Sequence, residues 1–121
     1  MLTALSTIST QQSSQTEQTM QKVKQFIDYA STHPDSIVTY HVSNMVLAGH
    51  SGASYLSELK SRSRAGRHFF LSNNTEYPAN NGSVLTVANI IKAVMSSAAE
   101  AELSTLFLNF SKAIPTRQAL E

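Results

Sequence analysis

The sequence predicts an α+β fold in which an antiparallel sheet of about three to five strands is packed by a C-terminal helix and preceded by an N-terminal helix. Two observations support this class. Apolar residues recur at helical spacing near both ends of the chain, whereas its middle is rich in β-branched and aromatic residues separated by turn residues. The 121 residues are enough for one domain with a core between two layers.

The N-terminal part divides into a tail and a helix. Residues 1–13 are rich in Ser, Thr and Gln and carry no charged side chain, which predicts a poorly ordered tail. Residues 14–36 are predicted to be a connecting helix with its helical turns at 15–31. Ser14 and Glu17 match a capping box, and the residue before Pro34 disfavours helix. The expected apolar stripe consists of Met20, Val23, Phe26, Ile27 and Ala30.

Four extended segments are predicted in the middle of the chain, at residues 37–42, 45–51, 67–71 and 83–94. Ser43-Asn44 is a candidate two-residue turn between the first two segments. The polar stretch 52–66 is predicted to be a loop, and so is the turn-rich stretch 73–82.

A second capping box, from Ser97 to Glu100, predicts the start of the C-terminal helix. Pro115 is expected to kink or end this helix because proline lacks the N–H that the helix needs. The apolar stripe expected to face the core consists of Leu103, Leu106, Phe107, Phe110 and Ile114.

Composition excludes several classes of protein. The formal net charge of +1 argues against a strongly basic nucleic-acid module, and the absence of Cys excludes disulfides and thiolate metal sites. No apolar run approaches the roughly 20 residues that cross a membrane. The first residues lack the pattern of a secretory signal, so an intracellular protein is expected.

Three segments, in order, resemble the ribonuclease H-like region of copia-type retrotransposon polyproteins. His50-Ser51-Gly52-Ala53-Ser54-Tyr55 is similar to the family's Ser-Asp-Ala-Ser/Asp motif at the end of its first strand. Arg62-Ser63-Arg64-Ala65-Gly66 with Phe69-Phe70-Leu71 is similar to its Arg-Ser-x-x-Gly turn into an aromatic strand. The most specific match is Ser96-Ser97-Ala98-Ala99-Glu100-Ala101-Glu102, which resembles the family's Ser-Ser-x-x-Glu-Ala-Glu helix start.

The resemblance implies a truncated ribonuclease H-like domain over residues 37–121. The family hydrolyses the RNA strand of RNA–DNA hybrids with two Mg²⁺ ions held by four acidic or His positions. Glu102 matches the helix Glu, and Gly52 falls where the family has its first-strand Asp. The other two positions are expected beyond Glu121. With one carboxylate of the four remaining, the expectation is a degenerate, non-catalytic fragment that binds no metal or cofactor.

Alternative interpretations remain open for these residues. Glu102 is also compatible with an ordinary solvated acid on the helix surface. Glu100 lies about 200° away around the helix, so only one of the two can face the sheet, and Glu100 is better suited to the cap. The basic residues of the presumed loop could bind the phosphates of an RNA–DNA hybrid, or they could form a solvated loop. These residues are Lys60, Arg62, Arg64 and Arg67.

Two further expectations concern partners. A partner chain could complete a nuclease by supplying the missing carboxylates. Self-association is expected through the edge of the Met45–Ser51 strand, which has no charge or proline to protect it. The four His residues lack the local spacing of a zinc site, and His50 is the one closest to the lost Asp position.

Overall fold

A computed structural model describes all residues from Met1 to Glu121 and confirms the α+β class. It contains one three-stranded antiparallel sheet, with two helices before the sheet in the sequence and one helix after it. The chain forms two compact units, Met1–Ile37 and Val38–Glu121. None of the helices combines the length and the apolar character that a membrane-spanning segment requires.

The first unit is a pair of helices, α1 (Leu2–Ser9) and α2 (Glu17–Thr32). The prediction of a disordered tail is therefore wrong for most of residues 1–13. Leu2 and Leu5 of α1 are exposed, whereas Ala4 and Ile8, one turn apart, border a cleft with Phe26 and Tyr29 of α2. The segment that follows α1 is tied to α2 by the Thr19 hydroxyl, which donates to Oε1 of Gln11 at 2.9 Å.

Helix α2 lies where the sequence predicts it, but its cap differs. Thr16, and not Ser14, is the N-cap: its hydroxyl accepts the N–H of Thr19 at 3.3 Å, and the Thr19 hydroxyl accepts the N–H of Thr16. Of the predicted apolar stripe, Val23 and Phe26 are half-buried and the other members are exposed.

The sheet of the second unit is a meander of β1 (Val46–Glu58), β2 (Arg62–Ser72) and β3 (Ser83–Ile91). Each strand pairs antiparallel with its neighbour in the chain, so β2 is central and most of its residues are buried. Ala53 faces Ala65 across the first pair, and Gly66 faces Ala88 across the second.

The predicted loop over 52–66 is wrong, because these residues form the end of β1, a tight turn and the start of β2. Lys60 and Ser61 in the turn have positive φ angles of 61° and 53°. Two successive left-handed residues match the right-handed twist of a hairpin. The polar residues of this stretch fit in strands because their side chains pair within the hairpin. Nε of Arg64, for example, lies 2.5 Å from Oε1 of Glu58.

Residues 37–42 do not form the predicted strand, since no main-chain ladder pairs with them. Side chains hold this segment instead. The amide of Asn81 accepts the N–H of His41 at 2.7 Å and donates to its carbonyl at 2.9 Å. The Tyr40 ring lies against Gly82, where a Cβ atom would come within 2.5 Å of the ring carbons. Gly82 is therefore required by this close approach.

Helix α3 (Ala98–Leu120) begins after Ser97, the predicted N-cap, whose hydroxyl accepts the N–H of Glu100 at 3.1 Å. Pro115 was expected to kink or end the helix. It does not end it, because the helix continues to Leu120. Pro115 is exposed, so the carbonyl that loses its partner faces solvent.

The predicted core-facing stripe of α3 is also wrong. The side chains buried against the sheet are Ala101, Thr105 and Asn109, whereas Leu103, Leu106, Phe107, Phe110 and Ile114 are all exposed. Small residues on both surfaces allow a close approach of helix and sheet, as at Ala101 and Ala65, which belong to one core cluster with Ile91 and Met95.

Candidate functional site

The carboxylate of Glu102 lies beside the segment that resembles the family's first-strand motif. Its Oε1 accepts a hydrogen bond from the main-chain N–H of Ala53 at 3.1 Å. β1 is an edge strand, so the N–H groups on its outer side have no neighbouring strand, and the N–H of Ala53 bonds to Glu102 instead. The structure thus brings together the two segments that resemble the catalytic motifs, and an anionic acceptor forms the stronger type of hydrogen bond.

Gly52 precedes Ala53, but it belongs to the other face of the sheet. Ala53 packs against the core cluster below α3, and Leu47, Gly49 and Ser51 line a cleft with residues of α3. Because side chains alternate along a strand, residue 52 projects away from α3. A Cβ atom at Gly52 would meet nothing within 4 Å. A side chain at this position would not share a pocket with Glu102.

Glu100 belongs to the N-terminal cap of α3. Its Oε2 accepts hydrogen bonds from both the N–H and the hydroxyl of Ser96, each at 2.6 Å. The Ser96 hydroxyl, and then its main-chain N–H, lower the pKa of Glu100 below its ordinary value of 4.5. These contacts agree with the prediction that Glu100 serves the helix cap while Glu102 faces the sheet.

The four basic residues do not form one exposed patch. Lys60 is exposed at the hairpin turn, but the other three lie on the central strand, where Arg62 is half-buried and Arg64 and Arg67 are only 6% and 4% exposed. Arg64 pairs with Glu58, and Arg67 is covered by α3. The prediction of a basic loop is therefore wrong, because pairing of β2 on both edges leaves it little contact with solvent.

A buried polar cluster between β2 and α3 was not foreseen from the sequence. Nη1 of Arg67 donates to the Leu108 carbonyl at 3.3 Å. Nε of Arg67 and Oδ1 of Asn109 are buried without a hydrogen-bond partner in the protein. The available signal was the spacing of four residues from Ala101 to Thr105 and again to Asn109, which places all three on one side of α3. The apolar stripe on the opposite side of the helix masked this signal.

The Asn109 amide also lines a cleft of about 240 Å³ between β1 and α3. Apolar side chains form most of its wall, among them Leu47, Phe69 and Leu106. The cleft therefore offers the uncharged Asn109 amide and Ser51 hydroxyl in an apolar surrounding, which is a weak basis for recognising a charged ligand.

His50 lies on the face opposite α3, with His68 across from it in the sheet register. Each imidazole ring has its centroid 5.2 Å from that of Phe70, and Nε2 of His50 is 2.9 Å from Oδ1 of Asn80. These two rings pack around an aromatic side chain and a turn. No group of three or more His, Cys, Asp or Glu residues is arranged to hold a metal ion.

The fold and these contacts define a small α+β protein built on a three-stranded antiparallel meander that is covered on one face by a long helix. Comparison with protein-family models, with curated proteins and with solved structures finds no match for the chain.

Proposed function

We propose that this chain is an intracellular, non-catalytic relative of the ribonuclease H-like domain of copia-type retrotransposon polyproteins, in which Glu102 has become a structural residue. One observation carries the proposal: the Glu102 carboxylate bonds to the N–H of the residue that follows Gly52. The two segments with the family's motifs are distant in sequence, and the support lies in their main-chain contact at Ala53 alone, since position 52 itself faces away from Glu102.

The same geometry argues against hydrolysis. Two-metal catalysis requires carboxylates shared between ions roughly 3.5–4 Å apart. Position 52 is a glycine, and the face on which it lies is turned away from α3. Glu102 alone would have to give up its bond to Ala53 in order to bind a hydrated Mg²⁺ ion.

The alternative of a hybrid-binding module has less support, since only Lys60 and part of Arg62 reach solvent among the basic residues from which it was inferred. Non-specific affinity depends on cations that can approach phosphates. A nuclease completed by a partner chain would need acids placed near Glu102 on the edge of β1, where a second chain has room to bind.

The proposal is tested by incubating the chain with a labelled RNA–DNA hybrid and Mg²⁺, with Glu102→Gln as the comparison. We expect intact RNA in both samples. A parallel Mg²⁺ titration followed by amide NMR should leave the Ala53 resonance in place, because Glu102 remains bonded to it. Cleavage that disappears in Glu102→Gln, or a Mg²⁺-dependent shift of Ala53 that this variant abolishes, would overturn the proposal.

A further inference from the structure

Helix α3 carries a second, exposed apolar surface on the side opposite the residues buried against the sheet. One margin of this surface borders β1, where Phe110 lines the cleft beside Leu47 and Arg117 lies near Val46. Its residues are spaced alternately by three and four: Glu100, Leu103, Phe107, Phe110, Ile114, Arg117 and Glu121. The four apolar members are between 63% and 73% exposed. Spacing of this kind places all seven on one stripe, here called the α3 seam, and is typical of a two-stranded coiled coil. The sheet-facing residues Ala101, Thr105 and Asn109 lie on the opposite side of the helix.

We propose that the α3 seam pairs two copies of this chain as an antiparallel two-stranded coiled coil. With the two-fold axis between residues 108 and 109, Leu103 of one copy lies opposite Ile114 of the other. Phe107 then lies opposite Phe110 in each of the two central layers. The stripe is thus complementary to itself, as a two-fold symmetric interface requires.

The charged members of the seam select the antiparallel orientation. In this register Glu100 of each copy lies opposite Arg117 of the other. Within its own chain Glu100 bonds to Ser96 through Oε2, and Arg117 bonds to Glu121 through Nε, so the attractive pair at each end would form through Oε1 of Glu100 and the terminal N–H groups of Arg117. A parallel pair in register would place Glu100 beside Glu100 and Arg117 beside Arg117. Like charges in facing positions disfavour that arrangement, and the antiparallel one also opposes the two helix dipoles.

The area is sufficient for a small stable interface. Leu106 and Leu120 flank the seam and are also exposed. Two aromatic and four aliphatic side chains per copy give on the order of 500 Å² each, close to the roughly 1,000 Å² in total that separates specific interfaces from incidental contacts. Pro115 and Lys112 lie off the seam on the helix, so neither interrupts it.

Cysteine cross-linking tests the register, because the chain has no native cysteine. Leu103→Cys and Ile114→Cys are prepared as separate variants and oxidised mildly, alone and mixed. We expect disulfide dimers in the mixture only, because two copies of residue 103 would lie about 16 Å apart along the antiparallel axis. Dimers of Leu103→Cys alone would mean a parallel pair, and the absence of cross-links in every sample would exclude the seam. Either result overturns the proposal.

Sedimentation equilibrium provides the second test. Phe107→Gln combined with Phe110→Gln should weaken dimerisation at least 100-fold, whereas Leu59→Gln, which changes a still more exposed apolar residue at the hairpin turn, should have no effect. Arg117→Glu should weaken it about 10-fold more than Lys112→Glu, which changes charge equally off the seam. A monomer at millimolar concentration overturns the proposal. So does a dimer that survives the Phe variants but is abolished by Val46→Lys, since it would form through the β1 edge.

Discussion

The Glu102 carboxylate accepts the main-chain N–H of Ala53, with 3.1 Å between Oε1 and N, and so joins helix α3 to the free edge of the sheet. We expect Glu102→Ala to lower the free energy of unfolding by about 1 kcal/mol, because a charge-assisted hydrogen bond is lost at an exposed site where solvent weakens it. Chemical denaturation measures this change, and hydrogen exchange of the Ala53 amide should become faster.

Glu102→Gln keeps an acceptor oxygen and should retain most of this stability, while Glu76→Ala removes an exposed acid elsewhere in the unit and serves as the control. If Glu102→Ala were as stable as Glu76→Ala and the Ala53 amide exchanged at an unchanged rate, Glu102 would have no structural role.

Gly52→Asp should not destabilise the fold by repulsion from Glu102, since residue 52 projects from the opposite face of the sheet. The ionisable residues beside it on that face are Arg64 and His68, which lie diagonally across from it in the register, and His50, two residues earlier on β1. We expect a melting temperature in chelator that is equal to or above that of the unmodified chain, and no change when Mg²⁺ is added. Destabilisation in chelator that Mg²⁺ reverses would show instead that residues 52 and 102 share an ion.

The stability of the protein should fall in acid partly through Glu100. Hydrogen bonds from Ser96 lower the folded-state pKa of this carboxyl below 4.5. A lowered folded pKa contributes stability that is fully present above the ordinary value and is lost as the pH falls through the folded value. Glu100→Gln should therefore flatten the pH dependence of the melting temperature below about pH 4.5. Glu17→Gln, at the start of α2, is the control, and equal profiles for both variants would contradict the assignment.

Arg67 and Arg64 should respond in opposite ways to replacement by methionine. Arg67 is a buried cation with one main-chain acceptor and an unpartnered Nε, so Arg67→Met should raise the free energy of unfolding by about 1 kcal/mol. Arg64→Met should lower it by about 2 kcal/mol, because the half-buried Glu58 carboxylate would lose its cation. Both are measured by denaturation. A marked loss in Arg67→Met would indicate that the guanidinium has a structural role that its contacts do not reveal.

Helices α2 and α3 and the general class of this protein were accessible from its sequence, whereas α1 was missed and the cap of α2 was placed at the wrong residue. The start of α3 was found because capping residues act locally. Ser97 bonds to the N–H of Glu100 within one turn, and such a signal does not depend on the rest of the fold. The connection of Glu102 with the segment around Gly52 was inferred from the resemblance, and the structure places Glu102 beside Ala53.

The strands and the orientation of α3 depended on partners that are distant in the chain. The polar residues around Arg64 are stable in a central strand only because Glu58 pairs with that guanidinium across the hairpin. Conversely, the apolar segment around Val38 and Val42 has no strand to pair with. Periodicity identified the apolar stripe of α3 but did not specify what it faces, and the small side chains of Ala101 and Thr105 fit the sheet better.

In the meander each strand pairs with the strand that follows it in the chain. This order has a consequence for synthesis on the ribosome. All three strands have been translated before the first residue of Ala98–Leu120 is added. At about 5–20 residues per second, the 23 residues of that helix take roughly one to five seconds to add after the last strand has been made. Until that helix packs on the sheet, Ala65 and Phe69 lack the cover that they have in the folded protein, so the new chain is most vulnerable to aggregation before α3 is in place.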